Sequence, residues 1–158
     1  MRVLEPRSLL GLAGWLALCF LVAAFGARFE PGGWYEQLQK PTWNPPDWVF
    51  APVWTTLYTL MAVAAWGVWR ARGLRGAGLT LGLFLLQLFC NGLWSWLFFG
   101  QHQMGWALAD VLVLDGVLLA TIVAFFRIQS WTGWLLVPYL LWSGYATALN
   151  AALWTLNP

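Results

Sequence analysis

The sequence predicts an all-α membrane protein, a bundle of five transmembrane helices with a long ordered loop between the first and the second. Three observations carry that expectation. Of the 158 residues, 61% are hydrophobic and only 9% charged, where ordinary soluble domains carry roughly 25% charged residues. Several uncharged stretches are long enough to cross a bilayer, because about 20 helical residues span a hydrocarbon core of about 30 Å. Those stretches do not alternate in polarity, so they read as helices. A solvated globule, a disordered chain and, with a formal charge of only +2, a nucleic-acid surface are all excluded.

The spans follow in order. Ser8 to Ala27 carries no charge, and neither does Trp48 to Trp69. Gly76 to Ala109 is also uncharged, interrupted by Gly100-Gln101-His102-Gln103, which reads as a turn. Met104 to Phe126 is apolar apart from Asp110 and Asp115, and Ile128 to Pro158 is uncharged throughout. The expected helices are therefore 8–28, 47–70, 77–100, 104–126 and 131–154. A closed barrel would need alternating segments separated by turns. Runs such as Leu83-Phe84-Leu85-Leu86 and Leu135-Leu136-Val137 do not alternate. Arg2 and Arg7 give the first span the flank of a signal peptide, but its apolar run is longer than such a segment needs. Its cleavage signal, in Ala23-Ala24-Phe25-Gly26-Ala27, is weak, and it is read as a helix.

Basic residues near helix ends set the orientation. Arg2, Arg7, Arg70, Arg72, Arg75 and Arg127 fall on one side; Arg28 and Lys40 fall on the other, offset by Glu30, Glu36 and Asp47. In a bacterial cell membrane this places the N-terminus in the cytoplasm, with the C-terminus and the first connection outside. Cys19 and Cys90 lie inside spans without ligand neighbours, and read as small buried apolar groups.

The connection from Arg28 to Asp47 has the most unusual composition, with three tryptophans and three prolines from Trp34 to Trp48. Proline limits backbone freedom and indoles need a surface to pack on, so this segment reads as an ordered lid. An interfacial aromatic belt explains some of the rings, but not the Pro45-Pro46 turn before a helix start. Pro52 either follows the first turn of the second helix or kinks it, opening backbone carbonyls to a cavity. Trp54 and Tyr58 share a helix face at i, i+4, as do Trp142 and Ala146 on the fifth helix. Two such faces can line an apolar pocket, or simply pack helices and meet lipid. Asn91 at membrane depth is either interhelical glue or a ligand contact. Asp110 and Asp115 project about 140° apart and make no catalytic dyad. His102 sits alone in a turn and reads as solvated. There is no Ser-His-Asp set, phosphate-binding glycine loop or Cys–His metal cluster.

Several motifs are specific. Trp34-Tyr35, Lys40-Pro41, Trp43-Asn44-Pro45-Pro46, Phe50-Ala51-Pro52-Val53-Trp54-Thr55 and Leu57-Tyr58 come first. They continue in Asn91, Trp94, Gly105-Trp106-Ala107-Leu108, Asp110, Pro138-Tyr139-Leu140-Leu141-Trp142 and Ala146-Thr147-Ala148-Leu149-Asn150. Over essentially the whole chain these resemble the tryptophan-rich sensory protein / translocator protein family, also called TspO/MBR or the peripheral-type benzodiazepine receptor family. The resemblance implies one domain, 1–158, that binds porphyrins and apolar drug-like molecules in a pocket under the first loop. Carried over residue by residue, the pocket comprises Trp34, Trp43, Trp54, Tyr58, Asn91, Trp94, Leu97, Asp110, Trp142 and Ala146. The resemblance further implies a porphyrin, protoporphyrin IX or haem, as ligand and no required cofactor. The resemblance also implies homodimers through the third helix, where Gly78 and Gly82 form a small-xxx-small pair.

Some members of that family promote light-dependent porphyrin breakdown, and Trp54 and Trp142 are then the candidate catalytic residues. The cholesterol-recognition segment of animal members carries a central Tyr and a final basic residue. Here the run Ala146-Thr147-Ala148-Leu149-Asn150-Ala151-Ala152-Leu153-Trp154 has neither, so high-affinity cholesterol binding is not expected and a bacterial member is. The leading expectation is a membrane sensor or regulator of tetrapyrrole metabolism and stress response. The alternatives are an enzyme that degrades porphyrins, marked by a new chromophore, and a transporter. A transporter favours internal repeats, and five helices without a repeat do not divide into halves.

Overall fold

The computed structural model describes residues 5–29 and 31–158; Arg2 and Glu30, both used in the charge count across the membrane, lie outside them. Every regular element among the described residues is helical. Helix α1, Pro6–Gly26, begins on a proline, whose missing N–H belongs to the first turn, where N–H groups lack partners anyway. It ends where the Ala27 N–H closes onto the Ala23 carbonyl.

The segment expected as one long loop is partly helical. Gly32, at φ +53, turns the chain into α2, Gly32–Gln37. After the prolines, a 3-10 turn at Asp47–Val49 runs directly into α3, Phe50–Gly76. Pro52 therefore lies in the first turn of α3 and kinks nothing. The break comes at Gly73 (φ 65, ψ 177), a backbone conformation open to glycine. The expected connection from Arg70 to Gly76 is thus mostly helix, and α3 carries Arg70, Arg72 and Arg75 beyond its apolar part.

Helix α4, Gly78–Ser95, follows after Ala77 alone and continues into a π turn, Trp96–Gly100, closed by the Gln101 N–H on the Trp96 carbonyl at 2.8 Å. The expected turn at 100–103 is present, with His102 at φ 56. Helices α5, Met104–Ile128, and α6, Ser130–Leu156, complete the chain.

Neighbouring helices pack in the cyclic order α1, α3, α6, α5, α4, closing α4 back onto α1. Small buried residues on α3 (Ala62, Ala64, Ala65 and Gly67) let its neighbours approach. A Cβ at Gly67 would lie 2.5 Å from the Trp131 ring and 2.6 Å from Thr132 of α6. Met61, Phe84, Leu118, Phe125, Leu136 and Tyr139 fill the interior. The outside is as apolar as the core: Leu79 is 82% exposed, Leu141 71% and Phe89 65%. Water would not tolerate so continuous an apolar surface; lipid does.

Four helical stretches are long and apolar enough to cross a membrane: Pro6–Gly26, Asp47–Gly76, Gly78–Gly100 and Met104–Ile128. Helix α6 is equally long and uncharged, but its tryptophans, Pro138, Tyr139, Tyr145 and Asn150 lower its hydropathy. Cys19 and Cys90 are buried and unbridged, as their positions predict.

Candidate functional site

At the end of the bundle that carries the first connection, α3 and α6 face each other through aromatic rings. Phe50, Trp54 and Tyr58 recur every four residues and so line one face of α3. Tyr139, Trp142 and Tyr145 recur every three on α6. The two rows interlock: Trp54 meets Tyr139 edge-on at 6.2 Å, and Phe50 meets Trp142 at 5.9 Å. Within the rows, Trp54 lies 5.6 Å from Tyr58, and Trp142 lies 5.6 Å from Tyr145. Pro138, inside α6, cannot donate to the carbonyl one turn back, which loosens the helix beside this seam.

Asn91 of α4 forms the floor. The Tyr58 hydroxyl donates to its side-chain oxygen, and its NH2 group donates to the Tyr139 hydroxyl at 2.8 Å. One buried amide thus joins α3, α4 and α6, satisfying two phenols that would otherwise be unpaired in an apolar interior. Its role as interhelical glue is visible here. Trp54 rests on both tyrosines, so the amide also fixes the seam's base.

The first connection caps the seam. Trp43 packs on Tyr145 at 5.7 Å, and the Tyr145 hydroxyl donates to the Trp43 carbonyl at 2.6 Å. Asn157, just past α6, exchanges two hydrogen bonds with the Gln39 backbone, at 2.9 and 3.0 Å. Trp34 stacks flat on His102 at 4.1 Å, which makes His102 an exposed platform for the cap and more than a solvated turn residue. Within the cap, the Tyr35 hydroxyl donates to Asn44 at 3.1 Å, and Lys40 lies over the Tyr35 ring at 4.7 Å.

The residues expected to form one pocket fall into separate groups. Trp54, Tyr58, Asn91 and Trp142 share the seam, with Trp43 above. Trp34, Trp94 and Leu97 belong to a second cluster around Phe98, where Trp94 stacks at 5.1 Å. The Trp94 indole donates to Asn150 at 3.0 Å, and Asn150 donates to the Met104 carbonyl at 2.9 Å, tying α4 to α6 and the start of α5. Ala146 is half-buried one turn beyond Trp142. Asp110 stands apart on α5, with a buried carboxyl oxygen that has no partner among the described residues. Asp115 turns to α6, accepting from the Ser143 hydroxyl and, at 2.7 Å, from Thr147. The two carboxyls diverge, as their spacing predicts. Among the described residues no three His, Cys, Asp or Glu side chains gather as a metal site.

Sequence reasoning missed Tyr139 and Tyr145 as wall residues. The only signal was their three-residue spacing from Trp142. Nothing local pointed to His102 under Trp34 or Asn157 on Gln39.

One titration tests the cap. Burial, opposed by the hydrogen bond to Asn44, holds the Tyr35 phenol above its ordinary value near 10. A raised acid is more readily ionised in the open form, so closure is fully stabilised below about pH 10 and weakens as pH rises through the closed-form value. The protection factor of the Gln39 amide, its intrinsic base-catalysed exchange rate divided by the observed rate, should fall in that alkaline range in the wild type. The fall should be absent in Tyr35→Phe; identical protection profiles would remove Tyr35 from the cap's stability.

These features define an α-helical membrane protein with an aromatic seam held under a hydrogen-bonded cap. The chain belongs to the TspO/MBR family, whose pattern matches residues 15–155. It is 46% identical over 142 residues to a tryptophan-rich sensory protein of Cereibacter sphaeroides, covering 90% of this chain and 88% of that one. It is 43% identical over 144 residues to the human translocator protein, covering 88% and 83%. A tryptophan-rich protein TspO of Chlorobaculum tepidum shares 39% identity over 157 residues, covering 96% and 99%.

Proposed function

We propose that this protein binds porphyrin-type tetrapyrroles at the aromatic seam and acts as a membrane sensor or regulator of tetrapyrrole metabolism and stress response. The observation that carries the reading is the position of the two central indoles. Like every tryptophan among the described residues except Trp66 and Trp94, they donate their N–H groups to no protein oxygen; what sets Trp54 and Trp142 apart is their place on the facing aromatic rows of α3 and α6. Both are half-buried, flanked by rings and placed under a cap. A flat, largely apolar ligand with polar edges suits such walls and donors. It enters by parting the α3–α6 seam at its capped end, where hydrogen bonds rather than deep apolar packing hold the closure. A relative named sensory protein agrees with a sensing role.

In this reading α6 is the fifth span, since its polar atoms turn inward: Tyr139, Ser143 and Asn150 are buried while Leu141 is exposed. The arginine-bearing end faces the cytoplasm of a bacterial cell membrane, and the cap faces outward. Titration of purified protein with protoporphyrin IX, first in darkness and then under light, is the test. Saturable quenching in darkness with a recoverable porphyrin spectrum supports a binder. A new chromophore under light, lost with Trp54 and Trp142, supports the degradative alternative. No saturation removes both.

A homodimer through α4 belongs to the same proposal. Gly78 and Gly82 are exposed, and a Cβ on either meets nothing within 4 Å, so they face outward. Gly92 instead packs on Val22 and Phe25 of α1. Gly82→Leu should convert dimer to monomer in mild detergent while porphyrin binding persists. Dimers that survive Gly78→Leu and Gly82→Leu place the interface on another helix.

A further inference from the structure

At the opposite end of the bundle from the cap, a groove of about 680 Å³ runs between the end of α3, the start of α4 and the outer side of α5. Its floor is a row of small residues on α5, Gly116, Ala120 and Ala124, one helical turn apart. A Cβ at Gly116 would meet nothing within 4 Å, so the floor is open. Leu79 of α4 forms a wall. Arg72 of α3 and Arg127 of α5 also line the groove, both near the ends of their helices.

The charge there is unbalanced. The chain's acidic residues are Glu5, Glu30, Glu36, Asp47, Asp110 and Asp115, and none lines the groove among the described residues. Asp115, nearest to it in sequence, is already bonded to Ser143 and Thr147. Arg70 is stacked on Trp66 at 4.7 Å, and neither it nor Arg75 lines the groove. The length is also informative. From Gly116 to Arg127 the helix rises about 17 Å, close to half of a hydrocarbon core of about 30 Å.

We propose that this groove holds one anionic phospholipid of the adjacent leaflet, its phosphate between Arg72 and Arg127 and one acyl chain along Gly116, Ala120 and Ala124. Guanidinium forks match phosphate oxygens in pairs, and basic pockets between transmembrane helices suit anionic headgroups. The depth of one leaflet and the apolar floor give an acyl chain a place that a free anion would leave unused. A second copy of the chain related by a two-fold axis along the membrane normal would set arginine near arginine at the same level, which disfavours it as the occupant.

The test uses the full chain in bilayers of equal phosphatidylglycerol and phosphatidylcholine, with retained lipid read by native mass spectrometry. Wild type should keep phosphatidylglycerol over phosphatidylcholine by about tenfold, a preference worth about 1.4 kcal/mol. The double variant Arg72→Gln, Arg127→Gln should fall to near parity, and Arg70→Gln, Arg75→Gln should keep the preference. Gly116→Leu fills the floor while leaving both arginines, and should also lose retained lipid. Thermal melting of each variant separates lost lipid from lost fold. Parity in wild type, preference surviving in the Arg72/Arg127 variant, or retention unchanged by Gly116→Leu would each overturn the proposal. So would lipid retention that rises when Gly82→Leu splits the dimer, since a second copy would then be the groove's occupant.

Discussion

Trp54→Phe combined with Trp142→Phe should weaken protoporphyrin IX binding by about tenfold or more, while the detergent-solubilised fold persists. Phenylalanine keeps most of the apolar area, so seam packing changes little. What goes is two indole N–H donors, each worth about 0.5–1.5 kcal/mol when bonded. Together they span the 1.4 kcal/mol that corresponds to a factor of ten. Fluorescence titration with each single and the double variant measures the loss. Binding that is unchanged in the double variant would move the ligand away from this seam, and any light-dependent chemistry with it.

Replacing Asn91 by leucine should produce the largest loss of stability. The amide accepts from Tyr58 and donates to Tyr139, and both phenols are buried, so its removal leaves two polar groups unpaired. An unsatisfied buried group costs about 1–3 kcal/mol. Interhelical hydrogen bonds in membranes average about 0.6 kcal/mol, because the unfolded chain in lipid also finds partners. A net loss of about 2 kcal/mol follows, or roughly 4–8 °C in melting temperature for a chain of this size. Tyr139→Phe in the Asn91→Leu background should add little, since its partner is already gone. A melting temperature unmoved by Asn91→Leu would show that the two phenols re-pair with each other.

Much of the fold was legible because lipid imposes a simple rule. Backbone groups must be satisfied within the segment that crosses, so spanning helices appear as long uncharged runs. The turn at 100–103 and the starts of α5 and α6 were visible for that reason. Helix periodicity likewise placed Trp54 and Tyr58 on one face. The end of α3 was misjudged, because arginines read as a connection although the helix carries them on to Gly76. Helix α6 showed the opposite difficulty: its aromatic and amide groups lower its hydropathy, although Tyr139 and Asn150 are buried in the bundle and Trp131, Trp134 and Trp154 lie on the outer surface.

The sequence by itself determined that this chain is a helical membrane protein, which family it resembles, and that Trp54 and Tyr58 share one face of α3. Only the tertiary structure decided what that face meets. Asn91 reaches Tyr139 across 48 residues, and Asn157 reaches Gln39 across 118. Trp34 finds its flat partner in an exposed histidine of another turn. Such pairs leave no local trace, because periodicity reports one helix's face and says nothing of its neighbour. Composition marks a surface as lipid-tolerant but cannot order helices around a ring. The cyclic order α1, α3, α6, α5, α4 is set by side-chain fit, with Gly67 admitting Trp131 and Thr132 and one amide bridging two phenols. Those fits are properties of surfaces brought together in space, and they exist only once the bundle has formed.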